Sequence, residues 1–235
     1  MTELTNPRLF ATPIVTILIT GVFIYLIIKT LKKDINCLET RLLAISFVFG
    51  VAVGIAQLLY LYSTNTLFII VINKVGIEAL NLCSLFLFLS ILVIYRNIES
   101  FFKNRLIMIV LISTFCAIFI HVLLPTGVYV NDVYEPYWSI EFGIYQIFFS
   151  QIIIASLIII SIKLYQNYLS EKVRNKFRIF IVGVFMLDIH IIWAFIANLM
   201  QNPMISLYGI LFQACGVVGM FLIYYGMIKK ESCKY

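Results

Sequence analysis

The sequence has few of the residues that soluble enzymes use for solvation and chemistry. Only 12% of its 235 residues are charged, and it holds two histidines, five cysteines and five prolines. An average soluble domain is about 25% charged and about 45–50% apolar. Hydrophobic residues make up 63% of this chain, which is more than a water-soluble fold of this length can hide. The shortage of charge therefore excludes an ordinary soluble protein and predicts that most of the surrounding solvent is lipid.

The scarcity of histidine and cysteine excludes several kinds of catalytic site. An intramembrane metallohydrolase needs a cluster of His and acidic ligands around zinc, but His121 and His190 are the only histidines and no HExxH motif occurs. Neither a GxSxG motif nor a Cys-x-x-Cys pair is present. We therefore expect no enzymatic activity, no metal and no cofactor. No cysteine spacing indicates a disulfide, so we also expect reduced thiols.

Long apolar runs dominate what is present. A helix needs about 20 apolar residues to cross the hydrocarbon core of a bilayer. Seven segments qualify, with approximate bounds 12–31, 42–62, 67–95, 106–124, 141–163, 179–199 and 206–228. We expect an all-α fold, in which residues 1–235 form a single polytopic domain, a seven-transmembrane helix bundle.

The basic residues lie between the apolar runs and predict an orientation. Fifteen of the 17 Lys and Arg residues lie in four segments, which are 29–41, 96–105, 163–178 and 229–235. The segments on the other side hold Arg8 as their only basic residue, beside four acidic ones. The positive-inside rule then predicts a multi-pass cell membrane protein with its N-terminus outside and its C-terminus in the cytoplasm. Because topology accounts for the charge of +6, we expect membrane lipids and not nucleic acid as partners.

Polar residues inside the predicted spans are the candidates for a functional site. Lys74, Glu78 and Asn81 are spaced i, i+4, i+7 and share one face of the third span. A charged side chain at the centre of a bilayer costs roughly 2.5–3.5 kcal/mol, so this face should point toward other helices or a hydrated cavity. Other spans supply further polar residues, which are Gln57, Gln146, Gln151, Asp188, His190 and Gln213, and His121 ends the fourth span near the outer surface.

These polar residues are expected to form one layer biased toward the outside. At about 1.5 Å per residue, Glu78 and Asp188 fall near the middle of the bilayer and Gln146 near its outer rim. Asp188 and His190 are separated by about 200° around one helix, so both cannot face one cavity, and we favour Asp188. Two interpretations stay open, a structural ion-pair network and a site for a ligand, an ion or a proton.

Five segments along the chain carry a resemblance in layout. They are the basic KTLKKDINCLETR (29–41), the polar VINKVGIEALN (71–81), the outer loop from LLPTGVYV (123–130) to EPYW (135–138), the connector YLSEKVRNKFR (168–178) and WAFIANL (193–199). In this layout the chain resembles, over nearly its whole length, the seven-transmembrane N-terminal sensor region of some archaeal and bacterial histidine kinases. The resemblance implies a receptor-like sensor of an external or lipid-borne small ligand. Family members pass the signal to a cytoplasmic kinase, whereas only KKESCKY follows the last span here, so we expect signalling through a cytoplasmic or membrane partner chain.

Two other functions stay open beside the sensor. The first is a small-solute transporter, because spans one to three and five to seven share an orientation that permits a parallel repeat. Against it, the sequence has no Pro-Gln pair and no proline in the interior of a span. The second is a structural or assembly subunit of a membrane complex, in which the buried ion pairs only lock the helices together.

Overall fold

A computed structural model describes residues 7–96, 105–123, 127–132, 134–167, 170–200 and 203–227 of the chain. Seven helices occupy most of these residues, and they are α1 (Pro7–Asp34), α2 (Leu38–Leu61), α3 (Thr66–Arg96), α4 (Arg105–Leu123), α5 (Ile140–Asn167), α6 (Glu171–Met200) and α7 (Pro203–Met227). Two short strands, β1 (Val128–Val130) and β2 (Pro136–Trp138), lie between α4 and α5. The predicted helical fold is therefore confirmed, with a β-hairpin inside the predicted outer loop as an unpredicted addition.

Among the described residues, five helices are long and apolar enough to cross a membrane. Their apolar segments are Thr12–Lys33, Leu38–Leu61, Thr66–Tyr95, Ile140–Asn167 and Glu171–Met200. Large apolar side chains face outward on them, for example Leu18 at 64% and Phe148 at 67% exposure, while Glu78 and Gln146 are 5% and 0% exposed. This distribution is the reverse of that in a water-soluble protein. It supports insertion of the helices into a membrane.

The helix α3 is the most deeply buried of the long apolar helices. In its 18-residue apolar stretch 72% of the residues are buried, against 17–39% in the corresponding stretches of the other four long apolar helices. It packs against α2, α4, α5 and both strands, while α1 contacts α2 and α7, and α6 lies between α5 and α7. These contacts close a ring of six helices, α1–α2–α3–α5–α6–α7, with α4 against α3. The polar residues of α3 are therefore held inside the protein.

The contact between α6 and α7 depends on facing glycines. A Cβ added to Gly183 would lie 2.7 Å from the carbonyl oxygen of Gly219, and one added to Gly219 would lie 2.7 Å from that of Gly183. At Gly226 an added Cβ would lie 2.7 Å from the backbone nitrogen of Phe180. Small residues at such contacts let two helix backbones approach closely. We call this contact the glycine seam, defined by Gly183, Gly219 and Gly226.

The hairpin covers one end of the bundle with an apolar face. Its strands are antiparallel, with Val128 opposite Trp138 and Tyr129 opposite Tyr137. Val128 and Trp138 are 2% and 3% exposed, while the rings of Tyr129 and Tyr137 stack 5.5 Å apart on the other face. Asn131 stabilises the turn, because its Oδ1 accepts a hydrogen bond of 2.8 Å from the backbone N–H of Glu135, the residue before β2. The hairpin is therefore a cap on this end of the bundle.

The expectation about the cysteines is wrong at one position. Cys37, which immediately precedes α2, is disulfide-bonded, whereas Cys83, Cys116 and Cys215 are free. A disulfide requires two Cα atoms within about 7 Å. The spacing of cysteines along the sequence carries no information about such a distance, so the bond could not be predicted.

Candidate functional site

Four polar side chains from three helices meet at the end of the bundle that the hairpin covers. Glu78 and Asn81 project from α3, His121 from the last turn of α4, and Gln146 from the second turn of α5. Glu78, Asn81 and Gln146 are 5%, 2% and 0% exposed, and the His121 side chain is 14% exposed. We call these four residues the polar cluster. It is enclosed, with His121 as its most accessible member.

Hydrogen bonds join every member of the polar cluster. The Oε1 atom of Glu78 lies 2.7 Å from Nδ1 of His121 and accepts a bond of 3.2 Å from Nε2 of Gln146. The Nδ2 group of Asn81 donates to Oε2 of Glu78 at 3.1 Å and to Oε1 of Gln146 at 2.9 Å. Both carboxylate oxygens therefore have donors. The network ties α3 to α4 and α5.

The orientation of the two amide groups follows from the carboxylate. An ionised carboxylate only accepts hydrogen bonds, so Asn81 must turn its NH₂ group toward Glu78. The same NH₂ group then faces the carbonyl oxygen of Gln146, which leaves the NH₂ group of Gln146 to face Glu78. The Oδ1 atom of Asn81 is left buried with no hydrogen-bond partner among the described residues. The cluster retains one buried acceptor.

Aromatic rings connect the polar cluster to the hairpin. The ring of Phe142 stacks on His121 with a centroid distance of 4.7 Å, and Tyr145 lies 4.9 Å from the same imidazole. Trp138 of β2 meets Phe142 edge-on at 5.3 Å, and its Nε1 donates to Oδ1 of Asn73 on α3 at 3.1 Å. A displacement of the hairpin would therefore disturb Phe142, and through it the environment of His121.

The depths expected for Glu78 and Gln146 need correction. They were expected at the middle and the rim of the bilayer, yet they are hydrogen-bonded and so lie at one depth. At about 1.5 Å per residue, Glu78 is about 18 Å from the start of α3, and Gln146 about 9 Å from the start of α5. With 31 residues, α3 is longer than a minimal span. Counting from its end therefore overestimates depth.

Lys74 lies where its spacing predicts. It is 3% exposed, one helical turn before Glu78 on the same side of α3. The contacts made by the Glu78 carboxylate with other helices run to His121 and Gln146. The face formed by Lys74, Glu78 and Asn81 thus points into the protein.

Asp188 belongs to a separate polar pair. Its Oδ1 accepts a hydrogen bond of 2.6 Å from Nε2 of Gln151, which joins α6 to α5. Gln151 is five residues after Gln146, about 140° further around α5 at 100° per residue. The single polar layer expected from the sequence is therefore divided in two. His190 faces another neighbour, since its Nδ1 lies 3.1 Å from the carbonyl oxygen of Phe212 on α7.

The other two glutamine candidates lie away from the polar cluster. Gln57 is partly buried in α2, and Gln213 is partly buried in α7 with an Oε1 atom that has no partner within the described ranges. Neither makes a hydrogen bond to the polar cluster in the part of the chain that the structure describes. Within the same part, no group of three His, Cys, Asp or Glu side chains is placed to hold a metal ion.

Sequence reasoning missed Asn73 and Trp138, and it named His121 and Gln151 among the polar residues of the spans without choosing them as site residues. The histidine at the end of the fourth apolar run was visible, but the helix against which α4 packs was not. No family model matches the sequence, and no curated protein matches it. The chemistry of the site must therefore be derived from its geometry.

Proposed function

We propose that the chain is a receptor-like sensor module of a cell membrane, which detects a small external or lipid-borne ligand at the polar cluster and signals through a partner chain. The observation that carries the proposal is the polar cluster itself, since it links α3, α4 and α5 in the buried interior directly behind the hairpin. Intramembrane ionisable residues are functional candidates by default because their burial is costly. The resemblance in layout to histidine-kinase sensor regions, read from the sequence, supports the same proposal.

The free energy of the hydrogen bonds between helices in the polar cluster is of the size that a conformational switch needs. Hydrogen bonds between membrane helices contribute about 0.6 kcal/mol each on average, so the three that join different helices here are worth roughly 2 kcal/mol. Coupling energies between a ligand and a conformational change are typically about 1–3 kcal/mol. A ligand that competes for the same donors and acceptors can therefore change helix packing, provided that it binds the two arrangements unequally.

The proposal includes seven spans with the N-terminus outside, which places the hairpin on the outer face. The basic connectors support this orientation, whereas the disulfide at Cys37 opposes it, because disulfides are rare in the cytoplasm. Asp132→Cys and Lys172→Cys, each in a cysteine-free background, decide the matter with a membrane-impermeant maleimide. We expect labelling at 132 in intact cells and labelling at 172 only after permeabilisation. The reverse pattern overturns the orientation.

A ligand screen in lipid nanodiscs tests the sensing function. Fractions of membrane lipid and small-molecule extracts are scored by the shift that they cause in thermal unfolding of the wild type, of Glu78→Gln and of Asp188→Asn. We expect stabilisation of the wild type and of Asp188→Asn, whose carboxylate pairs elsewhere, but not of Glu78→Gln. Equal stabilisation of all three contradicts sensing at the polar cluster.

The same preparation separates the other two functions. Counterflow of the stabilising compound in proteoliposomes would identify a transporter, since a sensor moves no solute. Stable co-purification with another membrane protein, together with no response to any fraction, would identify a structural subunit.

A further inference from the structure

The contact between Glu78 and His121 contains a proton. Two bare acceptor atoms would repel at 2.7 Å, the distance between Oε1 of Glu78 and Nδ1 of His121. One of the two atoms must therefore carry a hydrogen that points to the other. When Glu78 is ionised, that hydrogen is on Nδ1, which makes Nδ1 the donor and defines the tautomer of the imidazole.

The neighbouring amide fits this tautomer as a second donor to the same carboxylate oxygen. The Nε2 group of Gln146 lies 3.0 Å from Nδ1 of His121 and 3.2 Å from Oε1 of Glu78. A protonated Nδ1 cannot accept a hydrogen bond, so Gln146 donates to Glu78. Its amide cannot turn over, because its carbonyl oxygen already accepts from Asn81 at 2.9 Å. Gln146 and Asn81 thus hold the carboxylate in position to receive Nδ1–H.

The second imidazole nitrogen is then open to protonation. With Nδ1 committed to Glu78, the basic lone pair of neutral His121 is on Nε2. No hydrogen bond to Nε2 occurs among the described residues, and the His121 side chain is 14% exposed, more than any other member of the polar cluster. A proton added at Nε2 therefore leaves the hydrogen bonds of the network in place.

We propose that the polar cluster also takes up a proton, bound at Nε2 of His121, in addition to its small ligand. This inference rests on the proposed sensor function and adds a pH input at the same site. Binding forms one N–H bond and adds one positive charge, which converts the contact of a neutral imidazole with a carboxylate into an ion pair. Charge-assisted hydrogen bonds are about twice as strong as neutral ones. Proton uptake therefore tightens the link between α3 and α4.

The change reaches the hairpin through the stacked rings. Phe142 lies against the imidazole with 18° between the ring planes, and Trp138 meets the same Phe142. A cation is attracted to the face of an aromatic ring, so a protonated His121 is held more firmly by Phe142 than a neutral one. We therefore expect the hairpin to follow the charge of His121.

Other charged or titratable groups lie on the elements of the same bundle. They are Lys74 on α3, Glu141 and Tyr145 on α5, Asp132 and Glu135 in the hairpin turn, Asp188 on α6, and Glu39 and Arg41 at the far end of α2. Histidine is the side chain whose ordinary pKa puts its change of charge between pH 5 and 8. A response confined to that range and removed with His121 is therefore specific to the proposed site.

Nuclear magnetic resonance of ¹⁵N-histidine tests the binding site directly. The chain has two histidines, so His190→Gln in lipid nanodiscs leaves the signals of His121 alone, and His121→Gln in turn identifies them in the wild type. We expect a neutral imidazole protonated at Nδ1 at pH 8 and an imidazolium at pH 5. A neutral Nε2–H tautomer at pH 8, or no change of charge between these values, overturns the proposal.

Tryptophan fluorescence tests the coupling to the hairpin. The chain has two tryptophans, so Trp193→Phe makes Trp138 the only emitter. We expect its emission to follow a one-proton titration between pH 5 and 8, to stay constant in His121→Gln, and to change less in Glu78→Gln, where no ion pair forms. An equal change in His121→Gln, or constant emission in the parent, overturns the coupling. In either case, stabilisation of the wild type by a fraction in the thermal-unfolding screen would still support the proposed sensor function.

Discussion

The polar cluster and the glycine seam join helices of the same bundle by opposite means. At the seam, the backbones of α6 and α7 touch where Gly183 faces Gly219, and nothing in the contact depends on protonation or on a partner molecule. In the polar cluster, hydrogen bonds hold α3, α4 and α5 through groups that a proton or a ligand can change. The seam is therefore suited to be a fixed joint, and the cluster to be an adjustable one.

The largest predicted effect is at the seam. Gly183→Leu places a side chain where a Cβ alone would lie 2.7 Å and 2.8 Å from the backbone atoms Gly219 O and Ile223 N. Overpacking typically costs about 1–3 kcal/mol and more where backbone must move. We expect loss of most folded protein, measured as the yield of monodisperse protein and the temperature of thermal unfolding.

A glycine in an open position provides the control for the seam. A Cβ at Gly21 on α1 would meet nothing within 4 Å, so Gly21→Leu should leave yield and unfolding temperature unchanged. If Gly183→Leu behaves in the same way, α6 and α7 are not in close contact, and the comparison with the polar cluster fails.

A smaller effect is predicted for the polar cluster. Gln146→Leu removes its hydrogen bonds to Asn81 and Glu78 and leaves buried polar groups without these partners. An unsatisfied buried group costs about 1–3 kcal/mol, so we expect a reduction of that size in the free energy of unfolding, measured in mixed micelles.

The matching substitution at Gln213 sharpens this test. Its Oε1 is buried without a partner among the described residues, so Gln213→Leu should leave the free energy of unfolding unchanged or raise it. Similar losses at the two positions would show that the hydrogen bonds of Gln146 add no stability, and the polar cluster would then be no joint at all.

Part of this comparison could be predicted from the sequence. The spacing of Lys74, Glu78 and Asn81 predicts one buried face, because helical periodicity is local and the cost of exposing charge to lipid is large. The partner of Glu78 on α4 could not be predicted, since His121 is 43 positions away from Glu78 in the sequence. Which helices are neighbours depends on the packing of the whole bundle.

The separation of the Asp188–Gln151 pair from the polar cluster shows the same limit of sequence-based prediction. The angle of about 200° between Asp188 and His190 predicts that they face different neighbours, and they contact Gln151 and Phe212 respectively. The angle does not predict which of the two residues contacts Glu78, and in the structure neither Asp188 nor His190 does. The hairpin was also unpredictable, because each strand has only three residues and its apolar face is defined by the bundle beneath it.

The smallest predicted effect is at the connection between the hairpin and α3. Trp138→Phe keeps an aromatic ring between Phe142 and Phe195 but removes the hydrogen bond to Asn73. The substitution leaves the buried Oδ1 of Asn73 without one donor, whereas Gln146→Leu removes two hydrogen bonds, so global stability should fall toward the lower end of about 1–3 kcal/mol. Hydrogen exchange of the backbone amides in residues 128–138 should become faster, since the hairpin opens more often.

Trp193 is the matched control for this last substitution. Its Nε1 is buried without a hydrogen-bond partner in the described ranges, and its ring stacks on Phe212 at 4.2 Å. Trp193→Phe should therefore leave exchange in the hairpin unchanged. Faster exchange in both variants would mean that the hairpin responds to packing anywhere in the bundle. Faster exchange in Trp138→Phe alone would mean that the hydrogen bond to α3 holds the hairpin closed over the polar cluster. A site that responds to a ligand or a proton needs such a cover that can open.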